Sequence, residues 1–198
     1  MAFFIESEVR EKANQVLSTE SMSVDSIILE SNQKFESEDK EYDIFLSHSK
    51  IDEKLVLGIK SNLEEMGYSV YIDWIEDKQL DRSQVTKNTA QTLKNRMNKS
   101  KSLIFVTTEN SVRSIWMPWE LGYFDGYKGK VAILPIKKSD TDTEYKGQEY
   151  LGIYPYVTKN ILDKLYINSK KEINLDTVSF KDYINDTEKI DLKDWLHN

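Results

Sequence analysis

Tyr42-Asp43-Ile44-Phe45-Leu46-Ser47-His48-Ser49 is the stretch from which the fold is read. Residues 43–47 form a short, almost continuously apolar run, the pattern of a strand covered on both faces. Directly after it the period changes. Ser49, with Asp52 three residues on, predicts a capping-box start. Ile51, Leu55, Ile59, Leu63 and Met66 then fall on one face of a helix that stops at Gly67. The unit repeats along the chain. Residues 69–73 read as a second strand, Trp74–Arg82 as a charged loop, and Val85, Ala90, Leu93 and Met97 as the inner face of a second helix. Residues 102–107 and 131–136 read as third and fourth strands, around a helix with Pro118 in its first turn, where a missing N–H costs nothing. A long loop over 137–158 precedes a fifth strand at 164–168, and helical pieces around 178–184 and 192–196 follow.

Alternating strands and helices with short connections predict an α/β fold: a flavodoxin-like, five-stranded parallel sheet in the order 2-1-3-4-5, with helices on both faces. Its switch point lies between strands 1 and 3, so the loops at 47–50 and 107–120 are where a ligand belongs. Charge marks a boundary upstream. Residues 1–41 hold ten acids against four bases, while the remainder carries only one net negative charge. Residues 1–40 therefore read as an acidic N-terminal arm and linker, and 41–198 as the main domain. In the arm, Ile5, Val9, Ala13, Val16 and Leu17 recur at helical spacing. That helix either packs on the domain or serves as a partner-binding or oligomer-forming arm.

Composition removes several kinds of chemistry. The 198 residues carry a net charge of −7, with 39% hydrophobic and 31% charged side chains, as in a globular chain. There are no cysteines and only two histidines, His48 and His197, so disulfides, thiolate nucleophiles and Cys- or His-built metal centres are not expected. No apolar run approaches the ~18 residues of a membrane span, and the N-terminus lacks the basic region of a signal peptide. A cytoplasmic location is expected. No G-x-G-x-x-G fingerprint, Walker A loop or G-x-S-x-G elbow occurs. The loop after strand 1 lacks the glycine of a flavin site. Strand 3 closes in Thr107-Thr108, where a phospho-accepting receiver would need a carboxylate.

What remains at the crevice is Trp116-Met117-Pro118-Trp119-Glu120-Leu121-Gly122. Taken alone, Glu120 could complement a helix dipole and the tryptophans could be core. With Tyr42–Ser49 and Val70-Tyr71-Ile72-Asp73-Trp74, in order and on the expected elements, the set resembles a bacterial Toll/interleukin-receptor (TIR) domain, like the TIR subunits of Thoeris anti-phage defence systems. The resemblance implies an enzyme cleaving NAD+ between nicotinamide and ribose, with Glu120 as the catalytic carboxylate. It further implies that Trp116, Phe45, Ser47, His48, Asp73 and Trp74 line the substrate pocket. NAD+ would be the substrate, with no cofactor and no metal.

Further implications concern partners: self-association through the Trp74–Arg82 loop, and a separate effector that senses the product. Neither nucleic acid nor membrane is expected as a partner. His48 could instead be a loop histidine, and Ser47 and Ser49 turn-formers. An acid-free basic stretch, with Arg82, Lys87, Lys94, Arg96, Lys99 and Lys101, reads as a solvated helix face or as an attractor for the NAD+ diphosphate. Two other functions stay open: a non-catalytic TIR scaffold, and a nucleoside deoxyribosyltransferase-like enzyme working on a similar sheet.

Overall fold

The computed structural model describes residues 2–19, 40–77, 85–139, 141, 148–170 and 187–197. Its strands are β1 (Phe4–Ile5), β2 (Tyr42–Ser47), β3 (Val70–Tyr71), β4 (Ser100–Thr107), β5 (Val131–Lys137), β6 (Tyr156–Lys159), β7 (Leu165–Lys170) and β8 (Thr187–Asp191). They form one sheet in the order β3-β2-β4-β5-β6-β7-β8, with β1 paired to β5. The helices are α1 (Glu6–Thr19), α2 (Glu53–Glu65), the single turn α3 (Asp73–Glu76), α4 (Lys87–Asn98), α5 (Trp116–Lys128) and α6 (Leu192–His197).

The first four expected strands are β2, β3, β4 and β5, and they take the expected order with parallel pairing. The expectation of five parallel strands is corrected beyond that point. β6, inside a stretch read as loop, lies between β5 and the strand expected fifth. That strand, β7, runs antiparallel to β6, and β8 runs antiparallel to β7. The physical reason is connection length. Only residues 160–164 join β6 to β7, whereas a parallel crossover needs about a dozen. The turn is fixed by Asn160, whose Oδ1 accepts the backbone N–H of Leu162 and of Lys164, both at 2.9 Å.

Side chains alternate across the sheet and separate two apolar layers. On one face Ile44 and Leu46 of β2 join Leu55, Ile59 and Leu63 of α2. On the other, Phe45 joins Leu93 and Met97 of α4 and Leu121 and Phe124 of α5. The N-terminal segment belongs to the same packing: Phe4 and Val9 lie in the α2-side layer, and Phe3 in the other. Of the two readings of that helix, it packs on the domain. The linker region, 20–39, lies outside the described residues, as do the expected helical piece around 178–184 and residues 78–84.

Two local departures concern helix starts. A turn of 3-10 helix, Lys50–Asp52, precedes α2, and Ser49 makes no side-chain cap. Ile51, expected on the inner face, is 66% exposed there. Val85 likewise lies outside α4, exposed, because Thr86 takes the N-cap, its Oγ1 accepting the Thr89 N–H at 3.1 Å.

Candidate active site

The chain leaves β2 toward α2 and leaves β4 toward α5, on opposite faces of the sheet. The gap between the carboxyl ends of β2 and β4 is the place where such sheets bind ligands. Asp52 lies in the 3-10 turn that follows β2. It is buried, and its Oδ2 accepts from the Thr108 hydroxyl at 2.6 Å while its Oδ1 accepts from Asn110 Nδ2 at 2.7 Å. The loop after β2 is thereby tied to the loop after β4. Sequence reading took Asp52 as a capping residue, and nothing in the local sequence points to partners more than fifty positions on.

α5 brings the glutamate into the gap. Ser114 accepts the Met117 N–H at 3.3 Å, Pro118 occupies the first turn, and Gly129, in the left-handed region at φ 66°, ends the helix. Trp116, Met117, Glu120, Leu121 and Phe124 form its buried stripe. Glu120 is thus placed one turn beyond Trp116, within the packed layer, at 0% exposure. The Ser47 hydroxyl, at the end of β2, donates to its Oε2 at 2.6 Å. Trp116 is buried and meets Trp119 edge-on, with ring centroids 5.4 Å apart.

His48 turns to the neighbouring strand's side. Its Nδ1–H donates to the Leu46 carbonyl at 2.8 Å, and its Nε2 accepts from the Trp74 indole N–H at 3.0 Å. Those two partners assign a neutral ring protonated at Nδ1. Asp73 Oδ1 lies 3.5 Å from the same Nε2. The expected residues thus form two adjoining groups, Ser47 with Glu120 beside Trp116, and His48 with Trp74 and Asp73. Phe45 stands apart as a core residue stacked on Tyr71, centroids 5.0 Å apart.

The basic stretch divides as well. Arg96 is not a solvated side chain: its Nε and Nη2 grip both oxygens of buried Asp77 at 2.8 and 2.7 Å. Tyr71 adds its hydroxyl to Asp77 Oδ2 at 2.7 Å. The hydrogen bond to Asp77 holds the guanidinium still more firmly protonated, and burial, then the Asp77 charge, pushes the Tyr71 phenol well above its ordinary value. Lys101 pairs with Asp43 at 2.8 Å, and Lys94 lies over the rings of Trp119 and Tyr123. Burial raises the Asp43 pKa, but Lys101 and Ser69 outweigh it and hold the carboxyl below its usual value. Arg82 lies outside the described residues.

Among the described residues no group of three or more His, Asp or Glu could hold a metal ion, and no helix is long and apolar enough to cross a membrane. The TIR domain family matches residues 44–165, and the chain belongs to it. A relative from Bacillus cereus (strain MSX-D12), named "Probable 3' cyclic ADP-D-ribose synthase ThsB'", is 59% identical over 145 residues, 73% of each chain. Among solved structures, the TIR domain of the Toll-related receptor TRR-2 from Hydra magnipapillata matches at TM-score 0.39 and 16% identity, covering 52% of this chain and 76% of that one.

Proposed function

We propose that this protein is a TIR-type NAD+ nucleosidase and ADP-ribosyl cyclase of bacterial antiviral defence. The observation that carries the reading is Glu120: a carboxylate wholly withdrawn from water, held by Ser47 and next to Trp116, at the switch point of the sheet. The 59% identity to the relative named "Probable 3' cyclic ADP-D-ribose synthase ThsB'" supports it.

The chemistry suits a single carboxylate. Nicotinamide is bound as a pyridinium. When the C1″–N bond breaks, the electron pair goes to the ring nitrogen and nicotinamide leaves neutral, so no general acid is needed. Ordinary glycosides need two carboxyl groups because their leaving oxygen must be protonated. Positive charge develops on the ribose, and a preorganised anion in a dry site stabilises it. The flat face of Trp116 offers an aromatic–cation contact worth ~1–2 kcal/mol. Capture of C1″ by water gives ADP-ribose. Capture by the 3′-hydroxyl of the adenosine ribose, with loss of its proton, closes a 3′ ring, the product class named for the relative. In the proposed scheme a separate effector senses the cyclic product, and the protein self-associates through the Trp74–Arg82 loop.

The test is incubation of the purified protein with NAD+, with and without a phage-derived trigger, resolving products by chromatography. Nicotinamide release from Glu120→Gln falls at least a few hundred-fold, the equivalent of roughly 3–4 kcal/mol. Equal release from both proteins excludes Glu120 as the catalytic group.

A further inference from the structure

We infer that Ser47 is a positioning residue for Glu120 and not a hydrogen-bond donor to NAD+. The inference rests on the proposed NAD+ reading, and it starts from the number of protons a hydroxyl has. Ser47 Oγ carries one, and it is given to Glu120 Oε2 at 2.6 Å. That length falls in the range of hydrogen bonds to ionised oxygens. Both side chains are fully buried. A donor contact from Ser47 to a ribose hydroxyl would have to break this bond.

The bond acts on Glu120 in two ways. A helix glutamate has three side-chain torsions to fix, and one short bond to a rigid neighbour selects the rotamer that faces the crevice. Ser47 is rigid because it closes β2, in register with Phe105 of β4 in the middle of the sheet. Burial disfavours a carboxylate, and a donated hydrogen bond favours it. Ser47 therefore keeps Glu120 aimed, and the proton it donates favours the carboxylate over the acid, the form that faces a developing ribose cation.

Five proteins test this: the unaltered chain, Ser47→Ala, Ser47→Thr, Glu120→Gln and the double variant of Ser47→Ala with Glu120→Gln, each checked for an unchanged circular dichroism spectrum. Ser47→Ala is expected to lower kcat about 10- to 100-fold, as for loss of a hydrogen bond to a charged group, with KM changed less than about threefold. Ser47→Thr keeps the hydroxyl and recovers most of the rate. NAD+ binding by calorimetry is expected to be equal for Glu120→Gln and the double variant, since Ser47 acts only through the carboxylate. A rise in KM at unchanged kcat, or weaker binding by the double variant, makes Ser47 a substrate contact and overturns the inference. So does Ser47→Ala with unaltered kinetics. If the unaltered chain releases no nicotinamide from NAD+ under any condition, the NAD+ reading itself fails, whatever Ser47→Ala does to binding; if Glu120→Gln turns over NAD+ as fast as the unaltered chain, Glu120 is not the catalytic group and the inference about Ser47 falls with it.

Discussion

At the residue scale, the adjacent pair Ser47 and His48 faces two different ways and serves two different elements. His48 Nε2 is approached both by the Trp74 N–H at 3.0 Å and by Asp73 Oδ1 at 3.5 Å, and a neutral acceptor nitrogen can use only the donor. Trp74→Phe keeps a flat ring but removes that donor. It is expected to lower the unfolding free energy by about 1–2 kcal/mol, read as a lower urea midpoint at unchanged slope. An unshifted midpoint would mean that the indole N–H does not hold the loop. Glu120 could be singled out in the sequence only with Tyr42–Ser49 and Val70–Trp74 beside it, because a carboxylate one helical turn beyond Trp116 also fits a helix-dipole partner. Its bond to Ser47 was not legible. It joins positions 73 residues apart and depends on how α5 docks on the end of β2. The same holds for Asp52, whose partners Thr108 and Asn110 enter only through sheet order.

At the scale of elements, most of the parts that were readable are long enough to show a period, and β3, with two residues, was read from the largely apolar run 69–73 around it. β2, β4 and β5 have six to eight residues each, and α2, α4 and α5 have 12 or 13. β1 has two residues and β6 four, too few for any alternation to register, and their place is set by what they pair with. Helix contacts are equally invisible in a hydropathy pattern. α1 crosses α2 so closely that a Cβ on Gly58 would stand 2.0 Å from the Val9 carbonyl oxygen. Because that oxygen is backbone, no side-chain rotation relieves the overlap. Gly58→Ala must move α1 off α2 and is expected to cost about 1–3 kcal/mol, despite alanine's better helix propensity. In a chain of this size the melting temperature would fall about 2–4 °C for each kcal/mol. A melting temperature unchanged or raised by the alanine would show that the helices do not approach so closely in solution.

At the scale of the molecule, the N-terminal segment closes a gap in the sheet. β5 and β6 pair at a single position, Ile133 with Tyr156. Beyond it β1 lies along β5, Phe4 opposite Ile136, and Ala2 exchanges both backbone hydrogen bonds with Lys159 of β6, at 2.7 and 2.9 Å. The segment therefore stitches the parallel half of the sheet to the antiparallel half. Phe3, Phe4, Val9 and Ala13 are buried in doing so. Each large apolar side chain among them contributes about 1.5–3 kcal/mol by burial, against a total stability of about 5–15 kcal/mol for a typical domain. Deleting residues 1–19 would also leave the end of β5 and the Lys159 backbone without their partners. The shortened protein is expected to lose its cooperative thermal transition and to aggregate, read by calorimetry and light scattering. NAD+ turnover would disappear with the fold. A shortened chain with the same melting temperature and mass would contradict this, and would return the segment to the role of an arm. Because activity and the transition are expected to disappear together, the loss of turnover follows from the broken sheet and is no evidence that the segment regulates Glu120.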